Sequence, residues 1–253
     1  MSPATQELFD LTGRTALVTG ANTGLGRAIA VALAGAGADI AAVSRSDCSG
    51  TAADVAAAGR GFLHLVADLQ TTAPIARIVE DTCARFGRID ILVNNSGIIR
   101  RADALDVTEA DWDAVIDVNL KSAFFLAQAV ARQMSGGGKI VNVASMLSFQ
   151  GGIRVASYTA SKSGLAGLTK LLANEWAARG INVNAIAPGY FATNNTEALR
   201  ADAVRSREIL ARIPAGRWGE PPDLAGAAIF LASRASDYVH GAIVPVDGGW
   251  LAR

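Results

Sequence analysis

Short runs dense in β-branched and aliphatic residues alternate along the chain with longer stretches whose apolar residues recur every three or four positions. Thr15 to Thr19, Ile40 to Ser44, Phe62 to Val66, Ile91 to Asn94, Lys139 to Val143, Asn182 to Ala187 and Ile243 to Val246 read as strands. Most are continuous apolar runs, the pattern of strands covered on both faces. Between them, Leu25 to Ala36, a segment around Thr51 to Ala58, the set Ile75, Ile78, Val79 and Phe86, and the set Tyr158, Leu165, Leu168, Leu172 and Trp176 have helical spacing. Strand and helix in regular alternation predict βαβ units, a parallel sheet and an α/β fold. The least regular stretch, Gly189 to Trp218, is rich in Asn, Arg and Ala and is expected to be a surface loop or lid.

Composition narrows the function classes. With 253 residues and 51% hydrophobic content the chain can bury a core of its own, and one domain spanning residues 1–253 is the simplest organisation. Acidic and basic residues balance at 23 each, without a basic block or arm, so nucleic acid is not an expected partner. The greasy stretch Ala28 to Val43 is interrupted by Gly35, Gly37 and Asp39, and no membrane span is expected there. Met1 to Thr12 holds Glu7 and Asp10 but no Lys or Arg, which does not match a secretory leader and predicts a cytoplasmic protein. Cys48 and Cys83 have neither disulfide nor ligand spacing, and His64 and His240 lie far apart. Free thiols and no metal site are the expectation.

The first strand runs into Gly20-Ala21-Asn22-Thr23-Gly24-Leu25-Gly26 and then a helix. Such a turn presents backbone N–H groups and a helix N-terminus to a pyrophosphate, so Gly20, Asn22, Thr23, Gly24, Leu25 and Gly26 are candidate dinucleotide contacts. Glycines also serve tight turns and helix-on-strand packing; the strand-turn-helix context favours the nucleotide. Where a carboxylate at the end of the second strand would take a ribose 2′-hydroxyl, this chain has Ser44 and Arg45. Arg45 suits a 2′-phosphate and predicts NADP(H) over NAD(H), although a solvated loop arginine fits the same position.

Tyr158 and Lys162 stand four apart on one helix, so both side chains reach one ligand. A neighbouring ammonium, aided by a cationic nicotinamide ring, favours the phenolate and is expected to move Tyr158 toward working pH as the acid/base. Ser145, just past a strand, is placed to hydrogen-bond the same substrate oxygen. Each feature alone is commonplace in helices and turns. Together, in order behind a glycine turn, they define a site.

TGANTGLG, the NNSG of Asn94 to Gly97, Asn119, Ser145, Tyr158-x3-Lys162 and Pro188-Gly189 resemble the short-chain dehydrogenase/reductase family over nearly the whole chain. That resemblance implies a single Rossmann-like, doubly wound domain with a seven-stranded parallel sheet, a homotetramer, and an NAD(P)-dependent oxidoreductase acting on CH–OH and C=O groups. It also implies Asn119 in a proton relay behind Lys162. Asp68 is implied near the adenine, with Asn94, Gly97, Pro188, Gly189 and Thr193 around the cofactor. The family's usual NNAG stands here as NNSG, which adds the Ser96 hydroxyl.

Ile98 to Arg101, Ser145 to Arg154, Thr193 to Asn195 and Gly248 to Arg253 further resemble the sugar-acid dehydrogenases of the family, with substrates of the 2-dehydro-3-deoxy-D-gluconate or 2-deoxy-D-gluconate type. Guanidinium groups fork carboxylates and amides read hydroxyls. Arg101, Arg154 or Arg217 is therefore a candidate for the carboxylate, and Gln150, Asn194 and Asn195 for the hydroxyls. Trp250 and Arg253 are expected at a subunit contact or a neighbour's site. A 3-oxoacyl carrier-protein reductase uses the same residues on the same fold and stays open. So does a catalytically silent nicotinamide sensor, which the complete Asn119, Ser145, Tyr158 and Lys162 set disfavours.

Overall fold

The computed structural model describes residues 2–253. Seven strands form one parallel sheet in the order β3-β2-β1-β4-β5-β6-β7: β1 (Thr15–Thr19), β2 (Asp39–Ser44), β3 (Phe62–Val66), β4 (Ile91–Asn94), β5 (Gly138–Val143), β6 (Ile181–Pro188) and β7 (Ile243–Val246). The expected strands are all present, with β2, β5 and β6 a residue longer at one or both ends. Chain progression reverses direction between β1 and β4, which opens a crevice at their carboxyl ends.

Alternation along β1 divides the core. Ala16 and Val18 face α2 (Gly24–Gly35) and α10 (Ala225–Ala232), packing with Ile29, Leu33 and Leu231. Leu17 faces the opposite layer of α4 (Ile75–Phe86), α6 (Ser122–Gln133) and α7 (Ala156–Trp176), with Ile78, Leu126, Val130 and Leu172. Both faces of β1 and all eight residues of β6 are buried, so the central strands carry no polar outward face. Below the crevice, at the opposite end of the sheet, the buried Asp90 carboxylate accepts from Arg14 (2.8 Å), Arg88 (2.5 Å) and the Thr15 N–H (3.0 Å), tying β1 to β4.

Three features differ from the sequence reading. Gly189 to Trp218 is not a plain loop: after an isolated bridge of Phe191 to Gly219 it folds into α8 (Glu197–Ala201) and α9 (Ala203–Arg212). Asp202 caps α9 through the N–H groups of Val204 and Arg205, and Ile209 is its one buried residue, too sparse a stripe to mark a helix by periodicity. Secondly, α5 (Glu109–Ile116), a π-turn at Asp117–Lys121 and α6 form one helical run. This run, and not Ala28 to Val43, is long and apolar enough to resemble a membrane span by length and composition, yet it lies against α4, α7 and β4 with Leu126, Ala127, Val130 and Ala131 in the core. Thirdly, Trp250 is buried inside its own chain, 4% exposed, against Tyr190 and beneath the Arg212 guanidinium. Aromatic and cationic partners within the chain take up the surface expected at a subunit contact.

Candidate active site

A cleft of about 430 Å³ lies over the crevice and runs from Arg45 and Asp68 at one end to Ser145, Tyr158, Asn194 and Asn195 at the other. Its floor is the glycine turn. Gly20 and Gly24 have φ of +64° and +55°, the left-handed region where a side chain is strained. A Cβ on Gly26 would lie 2.1 Å from the Gly20 carbonyl oxygen and 2.3 Å from Asn95 Nδ2. The turn therefore closes on the helix only with glycine there. Asn95 clamps it from the next strand, donating from Nδ2 to the carbonyls of Thr19 (2.9 Å) and Gly20 (3.2 Å), while Thr19 Oγ1 accepts from the N–H groups of Asn95 and Ser96.

The cradle fits a dinucleotide. Thr23 precedes α2 without a side-chain cap, so the first N–H groups of the helix face the cleft free of side-chain partners. Thr193 closes the space over the turn, 3.7 Å from where a Gly24 Cβ would sit. Asn22, Thr23, Leu25, Gly97, Pro188 and Gly189 also line the cleft, as do Arg45 and Asp68, which pair at 3.7 Å. Asn94 does not line it. Its amide donates to Asn142 Oδ1 (3.0 Å) and the Ala123 carbonyl (3.2 Å) in the core, because alternation along β4 turns Asn94 inward and leaves Asn95 and Ser96 at the rim. Asn95 was not singled out from sequence; adjacent asparagines at a strand end are told apart only by register.

At the far end, β5 delivers Ser145 and α7 delivers Tyr158 and Lys162. Lys162 is 3% exposed and donates from Nζ to the Val143 carbonyl at 2.6 Å, with Nζ 5.7 Å from the Tyr158 ring centroid. Burial lowers its ammonium to about 8. Burial also raises Tyr158 above its ordinary value; Ser145 and, after it, the Arg101 charge act the other way without reversing it. This corrects the expected depression of Tyr158 for the free chain. Desolvation of the phenol outweighs its neighbours while the Lys162 amine is turned toward Val143.

Asn119 sits in the π-turn, where its Oδ1 accepts the Ile98 N–H (2.8 Å) and its Nδ2 donates to the Ile98 carbonyl (3.0 Å) and Ser161 Oγ (3.2 Å). A Cβ on Gly97 would meet Asn119 Oδ1 at 3.4 Å and Lys162 Nζ at 3.7 Å, so Asn119 backs Gly97 and Lys162, both of which line the cleft. The extra turn residue places this amide against the 97–98 backbone.

The substrate-side candidates divide. Asn194 and Asn195 line the cleft, and Arg101 donates to the Asn195 carbonyl (3.2 Å) close enough to Tyr158 to bear on its titration. The other three are engaged elsewhere. Arg217 forks Asp223 at 2.6 and 3.1 Å and lines a separate 160 Å³ cavity behind Phe191. Arg154, the one non-glycine described residue with positive φ (63°), pairs with Asp103 at 3.2 Å. Gln150 accepts from Trp250 Nε1 at 3.3 Å.

Residues 20–251 match the family model described as Enoyl-(Acyl carrier protein) reductase. The 2-dehydro-3-deoxy-D-gluconate 5-dehydrogenase of Dickeya dadantii is 61% identical over 97% of this chain and 98% of its own length. The chain belongs to the short-chain dehydrogenase/reductase family. The Escherichia coli protein of the same name is 59% identical, with the same coverage. Among solved structures, a gluconate 5-dehydrogenase from Burkholderia cenocepacia, in complex with NADP and tartrate, superposes with a TM-score of 0.94 at 43% identity, covering 98% of this chain and 99% of that one. This short-chain dehydrogenase is thus an oxidoreductase whose catalytic candidates lie around one cleft on a seven-stranded sheet.

Proposed function

We propose that the protein is an NADP(H)-preferring dehydrogenase of a sugar acid, of the 2-dehydro-3-deoxy-D-gluconate or gluconate type, with Asn119, Ser145, Tyr158 and Lys162 as its catalytic set. The single observation that carries this reading is that Asn194 and Asn195 line the same end of the cleft as Ser145 and Tyr158, above a floor of glycines, with Arg101 beside that end on the Asn195 carbonyl. When bound, the nicotinamide supplies the hydride that is exchanged with the substrate carbon. Arg101 holds the carboxylate, and the Asn194 and Asn195 amides read hydroxyls. Raised by burial, Tyr158 is protonated at neutral pH and gives its phenolic proton to the carbonyl oxygen during reduction; in oxidation its phenolate takes the proton from the substrate hydroxyl. Ser145 donates to that oxygen as charge develops, and the Lys162 charge steadies the phenolate. Asn119 holds Ile98 in place beside Lys162 and continues the proton path behind it.

The segment 189–218, with α8 and α9, acts as the substrate lid, tied to the body by the Arg101 to Asn195 contact. Arg45 takes the 2′-phosphate. The assembly that goes with this reading is a cytoplasmic homotetramer, for which the exposed Trp112, Phe125 and Leu171 of α5, α6 and α7 supply apolar contact area. The test is turnover of sugar acids and of an acyl thioester, each with NAD and NADP. Sugar-acid turnover several-fold better with NADP is expected; turnover of the thioester alone would replace this reading with the acyl-carrier reductase.

A further inference from the structure

The adenine end of the cleft holds two opposite charges that the catalytic chemistry does not use. Arg45 follows β2 and Asp68 follows β3, and their side chains meet at 3.7 Å across the mouth, 64% and 53% exposed. Asp68 is not held there by the arginine alone. Its Oδ1 accepts the Gln70 N–H at 2.9 Å, so its own turn fixes the carboxylate and leaves Oδ2 toward Arg45. Nearby, Ser44 is occupied by His64 (2.9 Å) and by the Ser46 carbonyl (2.6 Å), and the Asp47 carboxylate is exposed beside Ser49.

We propose that Asp68 tunes nucleotide selectivity: its carboxylate opposes the 2′-phosphate at Arg45 and thereby keeps NAD competitive with NADP. This rests on the reading of Arg45 given above. A dianionic phosphate bound to Arg45 must share that cation with a fixed carboxylate a few ångströms away, whereas the uncharged 2′-hydroxyl of NAD pays no such electrostatic cost. Across several ångströms in a solvent-like dielectric, the repulsion on one to two phosphate charges corresponds to roughly three- to tenfold in affinity. Added salt screens it. Asparagine at 68 keeps an acceptor for the Gln70 N–H and removes the charge.

The experiment is calorimetric or tryptophan-fluorescence titration of the full chain, and of Asp68→Asn and Arg45→Ala, with NADP and with NAD at low and high sodium chloride. Circular dichroism verifies each fold. The expected result is that D68N binds NADP about three- to tenfold tighter, leaves NAD within about twofold, and loses most of that gain at high salt. Unchanged NADP affinity, or an equal change for both nucleotides, would overturn the proposal by making Asp68 a neutral bystander or a plain adenine contact. R45A reports separately on the underlying reading: an unchanged NADP-to-NAD ratio in R45A means Arg45 does not hold the 2′-phosphate, whatever D68N does.

Discussion

Replacing Lys162 by methionine should remove activity and, at the same time, change how stability depends on pH. The folded chain lowers Lys162 from 10.5 to about 8 by burial, so between those values the unfolded state binds more protons than the folded one. Stability of the parent chain therefore rises with pH across that window, and below pH 8 the buried ammonium carries its full cost. The whole lowering is worth on the order of 3 kcal/mol, of which about 2 kcal/mol is relieved between pH 7 and 9.5. Lys162→Met has no such term. It also leaves the Val143 carbonyl without its 2.6 Å donor, a loss nearly equal at both pH values that drops out of the comparison. Urea unfolding of both proteins at pH 7 and 9.5 measures the difference. The parent should gain about 2 kcal/mol on the variant as pH rises. Stability differences that stay parallel to within about 0.5 kcal/mol would refute the burial argument for Lys162.

Other outcomes follow from the same geometry. Gly26→Ala puts a methyl group 2.1 Å from the Gly20 carbonyl oxygen, so the turn must open; a loss of about 2 kcal/mol in stability together with weakened NADP binding is expected, by denaturation and titration. Arg101→Ala should raise KM for a sugar acid roughly tenfold or more with a smaller effect on NADP binding, as befits a charged hydrogen bond to a carboxylate. Arg217→Ala should leave that KM unchanged, since its guanidinium is spent on Asp223.

Much of this was legible in the chain because the chemistry sits where local patterns are strong. Buried central strands such as β1 and β6 read as continuous apolar runs, and the Gly20 to Gly26 turn and the Tyr158 to Lys162 spacing are set by backbone geometry that leaves few residue choices. The partners of surface arginines were not legible. Arg154 and Arg217 have the same composition-level promise as Arg101, and only tertiary placement shows that Asp103 and Asp223 take them. Register was the other blind spot. Whether Asn94 or Asn95 reaches the rim depends on one residue of strand alternation. Helices α8 and α9 bury a single side chain, Ile209, and so lack the periodic stripe by which a helix is read in sequence.

The most direct test of the account is to follow deuterium from 4-deuterated NADPH into 2-dehydro-3-deoxy-D-gluconate relatives bearing a ketone, with the parent chain and with Tyr158→Phe. The account predicts deuterium on the reduced carbon of the sugar acid with the parent enzyme, and label transfer slowed by about two orders of magnitude or more in Y158F with NADPH binding retained. Undiminished transfer in Y158F, or none from the parent enzyme to any sugar acid while other carbonyl compounds take up the label, would contradict it.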